Sequence, residues 1–431
     1  MTLSSAPPSA DAGTARGPRP MVAARSARWG RRGAVAIVLG VAVTAGVLLP
    51  QSLDRGSREI CGADALQAAA VDGLAHFAQW LSANHSAGYV GEVGWPSGPD
   101  AQRWNALADT WYSAADTLGL PVTAWSAARW PASYPMSVYR AGTGSTELDS
   151  RGPQAGIVEA HGSTRGYLRG VVLAGGSFGA ADTNPAFGSL RPGRYGYDYS
   201  YESPASYQYL ARRGVRLVRM AVAWERLQPV PGGPLDATAV STLRRALDHA
   251  GRAGLRVIVD LHGYGAFAAG PGPGAGQARR LLLGSAGLPT GALADFWRRT
   301  VPAVAGLPAV IGYGLLNEPV TLAERGMAGA RLWERASQQA VTAIRQAGGA
   351  GLVLVAGYGS TSPARWGSMH PRAWIQDPAG LVRYDAHAYF DADGSGHYAA
   401  SYAEALRAAE LAPPPACHRM SALAGTGGRP A

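Results

Sequence analysis

The chain of 431 residues has only two cysteines, Cys61 and Cys417, and no lysine. Two thiols cannot build a disulfide-scaffold protein or a multi-thiolate metal centre. Charged residues make up 16% of the chain and hydrophobic ones 47%, which excludes a wholly disordered protein. All 39 basic residues are arginines, set against 29 acids, for a formal charge of +10. Six of them (Arg16, Arg19, Arg25, Arg28, Arg31 and Arg32) precede residue 33 beside a single acid, Asp11. Half of the excess charge therefore sits in that leader. The rest of the chain is too weakly basic to argue for nucleic acid.

Long apolar runs are scarce too. The exception, Gly33 to Pro50, reads GAVAIVLGVAVTAGVLLP. As a helix it would be about 27 Å long, enough to cross a hydrocarbon core. Trp29, Arg31 and Arg32 precede it, so the positive-inside rule leaves residues 1–32 as a disordered cytoplasmic leader and the body outside. A cleaved signal peptide is the competing reading of residues 33–50. Either way the body is expected to be extracytoplasmic, membrane-anchored or secreted. Residues 413–431 read as a flexible tail.

Within the body, eight short apolar runs alternate with helical patterns. The runs are 88–93, 120–124, 168–174, 216–222, 255–261, 310–316, 351–356 and 382–387. Leu66, Ala70, Leu74, Phe77 and Leu81 form one helical stripe behind Asp64, a candidate N-cap. Val240, Leu243, Leu247 and Ala250 follow Asp236, and Gly254 ends that helix. Trp333, Ala336, Ala340, Val341 and Ile344 line a third, closed by Gly348 and Gly349. Eight such units predict an α/β fold, a single (β/α)8 TIM barrel over residues 62–412. An open doubly wound sheet is the runner-up, but no GxGxxG follows the first run. GPGPGAG at 270–276 reads as a surface loop.

Barrel chemistry sits at the C-terminal strand ends. The polar and aromatic residues there are Glu92, Trp125, Arg219, His262, Asn317, Glu318, His387 and Tyr389. Two are carboxylates that end an apolar run before a turn: Glu92 in GEVG and Glu318 in NEP. A pair of acids flanked by aromatics is what glycoside hydrolysis requires. No G-x-S-x-G elbow is present for acyl transfer, and the spacing of His262 and His387 fits no metal motif.

Taken together, these motifs over roughly 62–400 resemble glycoside hydrolase family five, the cellulase family. The resemblance implies Glu318 as acid/base, Glu92 as nucleophile and Asn317 at the sugar 2-hydroxyl. Arg219, His262, His387, Tyr389 and Trp125 would support the nucleophile and bind substrate. It implies a retaining hydrolase of β-1,4-linked glucan, with a polysaccharide substrate and no metal or organic cofactor. Glu318 is expected to keep its proton because a second carboxylate lies about 5 Å away. Hydrolysis of mannan or another β-glycoside, or a catalytically silent membrane-tethered glycan-binding barrel, are the alternatives.

Two departures stand out. Val172 in GVVLAG occupies the place of a family asparagine. More important, residues 62–161 resemble the family's strands seven and eight, yet precede 166–400, which resemble strands one to six. The chain therefore reads as circularly permuted across Gly162-Ser163-Thr164, with its new ends at the family's sixth helix. Cys61 and Cys417 flank those ends and are expected to form a disulfide that staples them.

Overall fold

All eight apolar runs become strands. The computed structural model describes residues 58–59, 63–131, 133–162, 168–178, 187–270, 278–359, 361–412 and 419–420. The strands are β1 (Gly88–Gly94), β2 (Val122–Ala127), β3 (Arg169–Leu173), β4 (Leu217–Val222), β5 (Arg256–Leu261), β6 (Val310–Gly314), β7 (Leu352–Ala356) and β8 (Val382–Tyr389). Each pairs in parallel with the next, and β8 pairs with β1. The sheet therefore closes on itself as a (β/α)8 barrel, as the sequence predicts.

The outer helices include α1 (Ala65–Ala83), α2 (Ala101–Leu118), α3 (Ala155–Ala160), α4 (Pro204–Arg212), α5 (Ala237–Arg252), α6 (Thr290–Val304), α7 (Gly326–Gln346) and α8 (Tyr402–Glu410). Asp64 and Asp236 cap α1 and α5 by accepting from the backbone N–H of Gln67 and Ala239. Both meet otherwise unsatisfied first-turn donors. The predicted stripe on α7 is buried at all five positions. Its Trp333 also donates its indole N–H to the Ala356 carbonyl at the end of β7, 2.6 Å away. That bond fixes the helix against the strand it precedes.

Two hairpins add to the barrel. Tyr139–Ala141 pairs antiparallel with Leu148–Arg151 after β2, and Ala266–Ala269 pairs with Arg279–Leu282 after β5. The Gly/Pro-rich 270–276 segment thus falls between two paired strands, and residues 271–277 lie outside the described residues. So do the leader, the apolar 33–50 run, both cysteines, residues 163–167 of the junction, and most of the 413–431 tail. Among the described residues no helix is long and apolar enough to cross a membrane.

The two ends of the barrel body meet. Tyr402 at the start of α8 donates its hydroxyl to Asp64 at the start of α1, 2.8 Å away. Further out, Arg58–Glu59 and Arg419–Met420 pair antiparallel, Arg58 opposite Met420 and Glu59 opposite Arg419.

Inside the barrel the lower layer is apolar, with Tyr89, Leu217, Ile258 and Leu354 packed together. The layer above is charged: Arg219, Asp260 and Asp385 are each 1% exposed. Space for these groups comes from missing side chains. A Cβ at Gly91 would run into the Asp385 carboxylate, and one at Gly314 into that of Asp260.

Candidate active site

The charged layer supports a cleft at the C-terminal strand ends. Ladder irregularities lie beneath it, between Val90 and Val93, between Ala124 and Ala127, and between Ala386 and His387. Such bulges re-aim side chains, and after the last of them His387 faces Glu92 directly across the β8–β1 pair.

Glu92 is 2% exposed and held at both oxygens. Arg219 Nη1 donates to its Oε1 at 2.8 Å, and the Tyr389 hydroxyl donates to its Oε2 at 2.6 Å. Arg219 Nη2 reaches the Asn317 side-chain oxygen at 2.8 Å and Asp260 Oδ1 at 2.9 Å. Asp260 also lies 2.7 Å from His262 Nδ1, which orients that ring so that Nε2 sits 3.5 Å from Glu92. Burial by itself would raise the Asp260 carboxyl, but Arg219 and the His262 hydrogen bond hold it below its ordinary value.

Glu318 stands opposite. Oxygens of Glu92 and Glu318 and a ring nitrogen of His387 all lie within 4.8 Å of one another. His387 Nδ1 is 2.8 Å from Glu318 Oε1 and 3.6 Å from Glu92 Oε2. Burial would lower the imidazole; Glu92, Asp385 and Glu318 around it push it up to about 10. The same contact acts on Glu318. Burial raises its carboxyl, but the hydrogen bond and charge of His387, with His262 and Arg219 adding to them, together outweigh burial and lower it. The expectation that like-charge repulsion alone would keep Glu318 protonated therefore omits a neighbour: an imidazolium stands between the two acids. Among the described residues, this trio is the one group of acid and histidine side chains whose ligand atoms converge so closely, and the cationic His387 serves there as counter-charge to the two carboxylates.

Among the described residues, three of the four non-glycine residues with positive φ belong to this end of the barrel: Tyr264 (52°), Glu318 (41°) and Thr361 (57°). Such backbone is costly for side-chain-bearing residues and accumulates where surrounding structure holds it. Here the Thr361 carbonyl accepts from the His387 N–H at 3.1 Å, and the Tyr264 N–H donates to the Asn317 carbonyl at 3.2 Å.

Trp125 closes one wall. Its ring stacks on His262 at 5.7 Å and 20°, and its indole N–H donates to the Tyr134 hydroxyl at 2.6 Å. Phe178 packs edge-on against both Trp125 and His262. Val172, in the place of the family asparagine, is fully buried beside Trp125.

All eight residues picked from the strand ends thus gather around one cleft. Asp260, Asp385, Tyr264, Phe178 and Tyr134 join them, residues that the strand-end pattern does not single out. Two of them carried a signal: Asp260-x-His262 and Asp385-x-His387 share one spacing, and period two puts both members on the same strand face.

The family model for cellulase (glycosyl hydrolase family 5) matches residues 181–419, more than half of the chain. Endoglucanase 1 of Robillarda sp. is 28% identical over 242 residues, covering 53% of this chain and 61% of that protein. Endoglucanase Cel5A of Pseudomonas stutzeri, solved with cellobiose, is 32% identical over 53% of this chain and 62% of its own, with a TM-score of 0.44. An endo-β-1,4-glucanase of Xanthomonas axonopodis pv. citri is 31% identical over 56% and 72%, also with a TM-score of 0.44. The chain spans roughly half to three fifths of the length of the curated relatives it matches. On the family match, the chain belongs to the cellulase family, glycosyl hydrolase family 5.

Proposed function

We propose that this protein is a retaining glycoside hydrolase that cleaves β-1,4-linked glucan by double displacement. The observation that carries the reading is the approach of Glu92 and Glu318 within 4.8 Å across His387. Carboxyl groups about 5 Å apart suit a covalent glycosyl intermediate, whereas wider separations leave room for a water.

Glu92, fixed by Arg219 and Tyr389, attacks the anomeric carbon. As its charge passes into the new bond, the field that keeps His387 cationic weakens. The imidazolium proton moves over the 2.8 Å contact to Glu318, which delivers it to the departing oxygen. In the second step Glu318 takes a proton from the incoming water, the bond to Glu92 breaks, and the proton passes back over the same contact to His387 as the charge on Glu92 is restored. Asn317, oriented by Arg219, is placed to accept from a sugar hydroxyl.

The test is hydrolysis of carboxymethyl cellulose and cellopentaose by the full chain, with product anomers followed by proton NMR. Reducing ends should appear with the β-anomer formed first. An α-anomer first would rule out double displacement, and no cleavage of either glucan would rule out the substrate.

A rotated strand order belongs to the same reading. It accounts for the absence of β1 and β2, the strands bearing Glu92 and Trp125, from a family match that begins at residue 181, after β3. Export through the 33–50 segment, as anchor or signal, makes polymeric glucan accessible. It also allows a disulfide between Cys61 and Cys417, formed by exchange with an oxidised thiol carrier. Counting two positions onward from the Glu59–Arg419 pair reaches those two residues. Non-reducing peptide mapping should recover them as one linked peptide; two freely alkylated thiols would exclude the staple.

A further inference from the structure

Seven large apolar side chains of the described residues are exposed. Six lie on segments that leave the C-terminal ends of barrel strands: Leu190, Tyr195 and Tyr197 after β3, Val230 after β4, and Val320 and Met327 after β6. Random scatter over the surface would not confine them to the cleft face, and exposed apolar groups gathered on one face mark a binding surface.

The segment after β3 is built to present its rings. Gly193 and Gly196 have φ of 84° and 83°, and they bracket a tight turn. That turn is closed by the Gly196 N–H to the Tyr199 carbonyl at 2.7 Å, and Asp198 accepts from the Arg194 N–H at 2.6 Å. Beneath it, Arg226 donates to the Pro192 carbonyl and to the Gly176 and Ser177 carbonyls, at 2.6 to 2.8 Å. Its guanidinium also lies 4.1 Å from the Tyr199 ring centre. The loop is thereby tied to the backbone just beyond β3, next to Phe178 in the cleft wall.

Tyr195 packs on Tyr199 and Tyr201 at 5.6 and 6.2 Å, yet remains 49% exposed. Tyr197 is 69% exposed, with the Arg194 guanidinium 4.3 Å from its ring centre. A half-buried cluster therefore orients one tyrosine, and a cation braces the other. Aromatic surface so pre-organised loses little conformational entropy on binding.

We propose that Tyr195 and Tyr197 form an outer platform that binds the continuation of a neutral β-glucan chain beyond the cleft. A pyranose offers an apolar C–H face that stacks on the ring. The neutral polymer suits a loop whose charges, Arg194 and Asp198, are engaged with each other. This inference rests on the glycosidase reading of the cleft, and the experiment separates the two.

The experiment measures kcat and KM of the full-length wild type, Tyr195→Ala, Tyr197→Ala and Tyr197→Phe on cellotriose, cellohexaose and carboxymethyl cellulose. Both alanine variants should raise KM on the polymer about three- to tenfold with kcat retained, the size of one lost stacking contact. They should leave cellotriose unchanged, and Tyr197→Phe should behave as wild type. Equal KM on every length, or an equal loss on cellotriose, would overturn the platform. So would a wild-type dimer that these substitutions dissociate, because the tyrosines would then face a second copy. Should the wild type hydrolyse none of these substrates, the glycosidase reading fails separately. Native gels cast with soluble β-glucan, mannan or xylan then decide the platform: retardation of wild type but not of the alanine variants sustains it, and no retardation in any gel overturns it.

Discussion

Glu92→Gln is expected to lower kcat on carboxymethyl cellulose about a thousandfold or more while the protein stays folded. The amide matches the carboxylate in size, but it faces two donors, Arg219 and Tyr389. One amide oxygen can serve one of them, and the amide nitrogen turns a donor against the other. More important, a neutral amide is a poor nucleophile for the anomeric carbon, so the loss should persist on every substrate. Glu318→Gln should differ in kind. Loss of the acid costs on the order of 10² to 10⁴ when the departing oxygen needs a proton. An activated aryl cellobioside departs without one, so its first step should be nearly spared. Comparison of the two variants on carboxymethyl cellulose and on the aryl substrate assigns the roles. An equal deficit of both variants on the aryl substrate would reject the division between nucleophile and acid, and wild-type rates for either on the polymer would remove that residue from the chemistry.

Arg219→Leu should have the largest effect on stability. This guanidinium is 1% exposed and is the arginine shared by Glu92, Asp260 and Asp385. Removing one member of a buried ion-pair network leaves uncompensated charge and costs about 3–5 kcal/mol. The pH dependence has a defined sign. Asp260 has a carboxyl held below its unfolded value, so its contribution is present above that value, about 3.9. It is lost as pH falls through the lower folded value. The gap between wild type and variant in unfolding free energy from urea titration should therefore be full at neutral pH and close only in acid. A gap below 1 kcal/mol at pH 7, or one independent of pH down to 3, would show that Arg219 is not the counter-charge of this layer.

The barrel was legible because parallel strands buried on both faces leave continuous apolar runs, and all eight were present. The two hairpins were not. Leu148–Arg151 has one buried residue, and Arg279–Leu282 has none, so neither leaves an apolar pattern. Glu92 and Glu318 announced themselves as acids closing apolar runs. Asp260 and Asp385 sit inside their runs, where a charge reads as an interruption. Their meaning depends on Arg219 and on the empty space over Gly314 and Gly91, which only the closed barrel brings together. The state of Glu318 is hidden in the sequence for a related reason. Its controlling neighbour, His387, is 69 residues away in sequence.

The seam between β8 and β1 has a consequence for biosynthesis. Glu92 leaves the ribosome early, whereas Tyr389, its hydrogen-bond donor, follows 297 positions later. Strand β1 gains its second neighbour only when the last strand arrives, so the nascent chain carries half of an acid pair that can do nothing by itself. Closure of the cylinder and onset of reactivity thus become a single late event in the life of each molecule.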